Sequence, residues 1–346
     1  ASTMSRAYLR GLTSSIDPKK TAVLKPVTTI ATFVTQVTHI CSKSTHRDYT
    51  DSGGATPVST TEGEGEEDKR KEDGEGAAFA GVRDPGEGAL DMVEAVLVAL
   101  SRDLLDWVHD ISDLNPKYKD VVLLRNLGFY GSSVGQVLHE AATTTATSIN
   151  NSGSSEGGRG VTIQLTVDGT PSPVTGLVKE LDYASKCRRS SESRYCEWML
   201  SYELPQLYAR DFVRTLDGIL EKRHAPSELA LCAKRVDVLE LIKSLTIAPF
   251  EKAVSSMAER IQKHFGSLVV DITGGGAAGV GAGRVYAEEG KDAYLARDTW
   301  RALTNRLGSL ISCLEASAGA SFGLMLSDGM SEAKIKAMMA RHAGSK

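Results

Sequence analysis

An all-α fold, an elongated stack or bundle of about seven or eight antiparallel helices broken by disordered or irregular inserts, follows from three observations. First, apolar residues recur at helical spacing: Val93, Leu97, Leu100, Leu104, Trp107 and Ile111 advance by 4, 3, 4, 3 and 4, which lays one seam along one helix face. Second, Trp300, Leu303, Leu307, Leu310 and Leu314 repeat the pattern, as do Phe250, Val254, Met257, Ile261 and Phe265. Third, the stretches between such runs are polar and glycine-rich, with no series of alternating strands from which to build a sheet.

Taken in order, residues 1–41 form an N-terminal helical segment carrying Tyr8, Leu9 and Leu12, then Val27, Ile30, Phe33, Val34, Val37 and Ile40. Residues 42–88 are an acidic, Gly/Ser-rich insert with almost nothing to bury, and disorder is expected there. Residues 89–148 are a helical pair divided at Asn115-Pro116, the second helix carrying Val122, Leu127, Tyr130, Val134 and Leu138. Residues 149–176 are an irregular insert in which Val161, Ile163, Leu165 and Val167 alternate before Asp168-Gly169, a candidate small hairpin.

Residues 177–265 are a long helical block with Tyr195, Trp198, Met199 and Tyr202 on one face. Pro205 should kink or split it, because proline removes a helical donor and crowds the preceding turn. Within the block, a shorter helix with Val238, Leu241 and Leu245 ends before Pro249, itself at a first-turn position of the next helix. Residues 266–290 are a Gly-rich loop, and 291–346 hold the C-terminal helices and a basic tail.

The 346 residues are 41% hydrophobic and 24% charged, which suits a chain with a real core and excludes collagen-like and disulfide-scaffold classes. Of the net charge of −4, the stretch Glu62 to Glu75 supplies −5 (8 acids, 3 bases), so the remainder is near +1 and no nucleic-acid partner is expected. Five cysteines without a CxxC pair point to a reduced, cytoplasmic chain. No run of 18 apolar residues and no secretion signal is present; the start, without an initiator Met, suggests a fragment of a longer protein.

No motif argues for catalysis. Gly274-Gly275-Gly276-Ala277-Ala278-Gly279 satisfies GxGxxG, but the strands and the acid that a dinucleotide fold needs around it are missing, so it reads as a flexible loop. GxxxxGK[ST], GxSxG and HExxH are absent. His264, at the tail of its helix, is expected to cap carbonyls and meet the negative dipole end. Cys187, Cys196, Cys232 and Cys313 read as small hydrophobes in or beside seams. No catalytic residue, cofactor or metal ligand is expected. The candidate site is a basic cluster, Lys186, Arg188, Arg189 and Arg194, which can face solvent or meet an anionic membrane or an acidic partner.

Three segments carry a family likeness: Lys117-Tyr118-Lys119-Asp120 running on to Leu127-Gly128-Phe129-Tyr130, Tyr195 to Leu207 continuing through Arg210 to Asp217, and KRVDVLELIKSLTIAPFEKAVSSMAERIQKHF from Lys234 to Phe265. Together they resemble the C-terminal helical region of exocyst complex component 1, over about half the chain. The likeness implies a tethering-complex helical rod: a non-catalytic subunit that helps hold secretory vesicles at the plasma membrane before fusion, working by assembly. Implied partners are other exocyst subunits, a small GTPase and peripheral contact with anionic membrane; the implied location is cytoplasmic, at the plasma membrane and secretory vesicles. Two alternatives stand beside it: a subunit of a Golgi or endosomal tether of related fold, and an all-α enzyme or cofactor-binding protein.

Overall fold

A computed structural model describes residues 2–13, 16–17, 22–51, 85–150, 175–266, 268, 283–326 and 331–344, and among them every regular element is helical. The order is α1 (Ser2–Thr13), α2 (Lys25–Asp51), α3 (Pro85–Asp113), α4 (Lys119–Asn150), α5 (Thr175–Glu203), α6 (Pro205–Tyr208), α7 (Phe212–Leu220), α8 (Leu229–Cys232), α9 (Arg235–Ser244), α10 (Ile247–Phe265), α11 (Gly283–Phe322) and α12 (Glu332–Gly344). Short 3₁₀ turns at Ala209–Asp211 and Pro226–Glu228 lead into α7 and α8.

Helix boundaries follow local chemistry. Pro205 sits at the first position of α6, where its missing N–H is no loss, and α5 stops at Glu203 with the Leu204 N–H bonded to the Leu200 carbonyl at 2.8 Å. The chain divides there as expected. α10 starts from an extended Thr246 and ends at Gly266, whose φ of 88° is open to glycine and strained for other residues. α2 runs on to Asp51, past the expected boundary at 41, since each residue added to a formed helix gains a hydrogen bond at modest entropic cost. Likewise α3 opens at Pro85 and α11 at Gly283. The heart of the acidic stretch, the alternating run Val161 to Val167 and the motif 274–279 lie outside the described residues.

The helices pack on two cores. One gathers α1–α3 with parts of α4 and α5: Leu9, Val27, Val34, Leu104, Trp107, Leu127, Tyr130 and Leu177 are all buried there. The other gathers the start of α4, the end of α5 and α6–α12, around Met199, Leu216, Phe250, Val254, Phe265, Leu307, Leu310 and Met339. α4 and α5 pair extensively and serve both. Removing these side chains from water is the main favourable term in folding, about 25 cal/mol per Å² of apolar surface. Asn126, fully buried on α4, accepts the Leu24 N–H at 2.8 Å and donates to the Val122 carbonyl at 2.8 Å, which fixes the entry to α2.

Candidate functional site

α5 carries the four basic candidates, and ion pairing separates them. Lys186 meets Asp182 one turn earlier, at 2.6 Å. Arg188 lies 4.0 Å from Asp298 on α11. Arg194 donates through Nε to Asp120 of α4 at 2.9 Å and through its terminal nitrogens to Ser190 at 2.8 Å and Ser191 at 2.9 Å. Arg189 is exposed, with no carboxylate within 4 Å among the described residues. The cluster therefore holds α5 to α4 and approaches α11, and an incoming anion would compete with carboxylates already in place. Such exposed pairs contribute about 0–1 kcal/mol each.

A second group of charges, which the sequence did not announce, lies between α5, α6, α7 and α11. Arg306 donates through Nη1 and Nη2 to Asp217 at 2.6 and 2.9 Å, and through Nε to Glu197 at 2.5 Å. Glu197 also accepts a hydrogen bond from the Tyr208 hydroxyl. Burial works against the Arg306 charge, yet its bonds to Asp217 and Glu197 hold the guanidinium above its ordinary value. Burial, with the bond to Glu197, raises the Tyr208 phenol.

Beside this node opens a cleft of about 540 Å³, lined by Tyr208, Asp211, Arg214, Asp217, Glu221 and His224 among others. Three non-glycine residues flank it with left-handed backbone, Arg210, Asp211 and Lys222 at φ of 54°, 57° and 60°. The Arg210 side chain pairs with Asp237 of α9. Most of the cleft's charges are already matched, Asp217 with Arg306 and Glu221 with Arg223 at 2.9 Å, and His224 Nδ1 is hydrogen-bonded to Glu228 at 2.8 Å. No group of His, Cys, Asp and Glu among the described residues is arranged to hold a metal ion.

His264 differs from its expected role. It is buried, and its Nδ1 lies 2.8 Å from the Tyr195 hydroxyl, while its ring stacks on Trp198 at 6.4 Å. Burial, then the cations Lys263, Arg125 and Arg260, lower it to about 4. A neutral ring cannot serve as the cationic partner of the helix dipole; it fills an aromatic cluster instead. The cysteines divide as well. Cys196 and Cys313 are buried, the former with its thiol pushed up to about 12 by burial, whereas Cys232 on α8 is exposed and is no seam residue.

The face Tyr195, Trp198, Met199 and Tyr202 was legible as a face, but it grades from buried at Tyr195 and Met199 to 58% exposed at Tyr202. Above Tyr202 sits Arg260 of α10, its guanidinium carbon 4.2 Å from the ring centroid. No local signal marks Arg260 or Arg306, since each meets its partners through tertiary packing. Compared with known proteins, the chain matches no family model, no curated protein and no solved structure.

Proposed function

We propose that the chain is a non-catalytic helical subunit of a vesicle-tethering complex, the exocyst, which holds secretory vesicles at the plasma membrane before fusion. The supporting observation is where the three family-like segments meet. Val121 and Leu124 from the first, Tyr195, Met199, Phe212 and Leu216 from the second, and Val238, Leu241, Val254 and Ile261 from the third share one core. Much of the likeness therefore falls on residues that share a core, while Leu123, Leu127 and Tyr130 of the first segment pack in the other.

Action by assembly suits the charges, which are spent joining helices: Arg306 joins α11 to α5 and α7, and Arg194 joins α5 to α4. No described helix is long and apolar enough to cross a membrane, so on this reading attachment is peripheral, through anionic lipid or through partner subunits. A small GTPase is a further partner on the same reading. Affinity purification of the tagged full-length protein, with co-purifying proteins identified by mass spectrometry, tests it. Exocyst subunits in near-equal amounts are the expected result. Golgi or endosomal tether subunits would retain the mechanism and change the membrane, and a solitary chain would refute the tether reading and reopen the all-α enzyme alternative.

A further inference from the structure

The outward face of α2 carries no charge over most of its length. From Pro26 to Ser42 the sequence has no Asp, Glu, Lys or Arg, although only one side of the helix packs on the core, through Val27, Ala31 and Val34. A helix lying on a core normally turns charged residues to water. On the opposite side of α2 stand Thr29, Phe33, Gln36 and Ile40, all exposed, Phe33 at 46% and Ile40 at 62%. Their spacing of 4, 3 and 4 sets them in one row, the kind of row that a second helix fills in a coiled coil. Thr29 makes little polar demand there, because its hydroxyl donates back to the Lys25 carbonyl at 3.0 Å.

We propose that this row docks an uncharged, apolar helix face of a partner tether subunit, with Phe33 and Ile40 as its central contacts. That role rests on the tether reading, for which it supplies one assembly surface. A charged residue brought onto the row gives up its hydration and meets no counter-charge from α2, so the matching surface is neutral where it faces positions 29 to 40. The centres of protein interfaces are depleted of charge and enriched in aromatic residues, which suits Phe33 within its neutral stretch.

Two other occupants fit less well. The stretch 52–84, which follows α2 in the chain, offers only Val58, Phe79 and Val82 as large apolar residues, set among the acids of Glu62 to Glu75. A second copy of the chain would set Lys25 beside Lys25 in a parallel pair, and Lys25 toward Lys43 in an antiparallel one. Size weighs the same way. Thr29 to Ile40 spans about 17 Å at 1.5 Å per residue, on a helix about 10 Å across. Such a face falls well short of the roughly 800 Å² per partner that a stable dimer buries. It serves as one contact among several, which is how a subunit is held in an assembly of helical rods.

The experiment replaces Phe33 of the full-length chain with p-benzoylphenylalanine, a photoreactive derivative of the residue already there. The assembled complex is isolated through a tag on another exocyst subunit, irradiated, and the cross-linked peptides are mapped. The expected product joins position 33 to a partner segment with apolar residues at helical spacing and no charge on that row. Ile40→Lys and Gln36→Glu, both at exposed positions, should each lower the yield roughly tenfold, while Leu231→Lys, on exposed α8, should leave it within about twofold. Gln36→Glu is nearly isosteric and keeps the test decisive if Ile40→Lys disturbs α2, which urea unfolding of each variant reveals. A product with this chain itself, with phospholipid or with a charged segment, no product at all, or a yield indifferent to Gln36→Glu would each overturn the inference while the tether reading stands. Failure of the chain to co-isolate with any exocyst subunit would refute the tether reading, and the inference with it.

Discussion

Arg306 of α11 clasps Asp217 of α7 with both terminal nitrogens, 2.6 and 2.9 Å from the two carboxylate oxygens. This fork is the geometry in which a guanidinium matches a carboxylate best, and the same side chain reaches Glu197 of α5 through Nε. Replacing Arg306 with Met keeps the side-chain bulk and leaves two partly buried carboxylates facing each other across the gap. The expected loss is about 2 kcal/mol, less than a fully buried pair would show because these side chains remain 24–36% exposed. Urea unfolding followed by circular dichroism measures it; a change below about 0.5 kcal/mol would mean that solvent already screens the node.

His264 makes stability depend on pH. Its ordinary value of 6.5 falls to about 4 on folding, so between those values the unfolded chain binds the additional proton. Its contribution is present above pH 6.5, shrinks as pH falls, and is gone below about 4. Between pH 7 and 4.5 the wild type should lose about 2–3 kcal/mol more than His264→Gln, which does not titrate. Equal losses in paired urea titrations would show that His264 is as easily protonated in the folded chain as in the unfolded one.

Tyr130 of α4 and the core residue Ser101 are both buried, and their hydroxyls interact with each other without the geometry of a full hydrogen bond or any other partner among the described residues. Burial pushes the phenol up to about 12. A hydroxyl buried against only one poorly aligned neighbour regains little of the hydration it forfeits. Tyr130→Phe should therefore be neutral or stabilising by up to about 1 kcal/mol, whereas Tyr130→Ala, which opens a cavity, should cost about 3–5 kcal/mol. Thermal denaturation separates the two, and a clear loss of melting temperature for Tyr130→Phe would contradict this account.

Thiol reactivity should follow burial. Cys232 is exposed on α8, while Cys196 and Cys313 are enclosed. Iodoacetamide at pH 8, with peptide mapping, should modify Cys232 in the native protein and reach Cys196 and Cys313 only after denaturant is added. Early modification of Cys196 would imply local opening of α5.

The main seams were legible because core packing obeys the helical period. Phe250, Val254, Met257, Ile261 and Phe265 are all at most 2% exposed, and Leu303, Leu307, Leu310 and Leu314 are as deep. α2 was legible only in part. It carries two adjacent stripes, and the buried one passes through Val27, Ala31, Val34 and Thr38, leaving Phe33 and Ile40 exposed. Thr38 belongs inside because its hydroxyl bonds the Val34 carbonyl at 2.8 Å, and no hydropathy pattern registers that. Arg306 and Arg260 were illegible for a different reason: their carboxylates lie 109, 89 and 57 residues away, and only the folded chain brings them within reach. Of the basic candidates, the sequence displayed the charges but not the carboxylates that α4 and α11 set against them.

Because α4 and α5 each belong to both cores, there is no seam along which the protein can be cut in two. Within α4, Val121 and Leu124 face one core while Leu123 and Leu127 face the other; within α5, the handover falls between Ala184 and Tyr195. A fragment ending inside either helix would carry a stripe of leucines and valines with nothing to cover it, and would aggregate or capture foreign helices. Shortened versions that retain only one core are thus poor reporters of binding, and surface mutations in the intact chain are the better instrument for finding its partners.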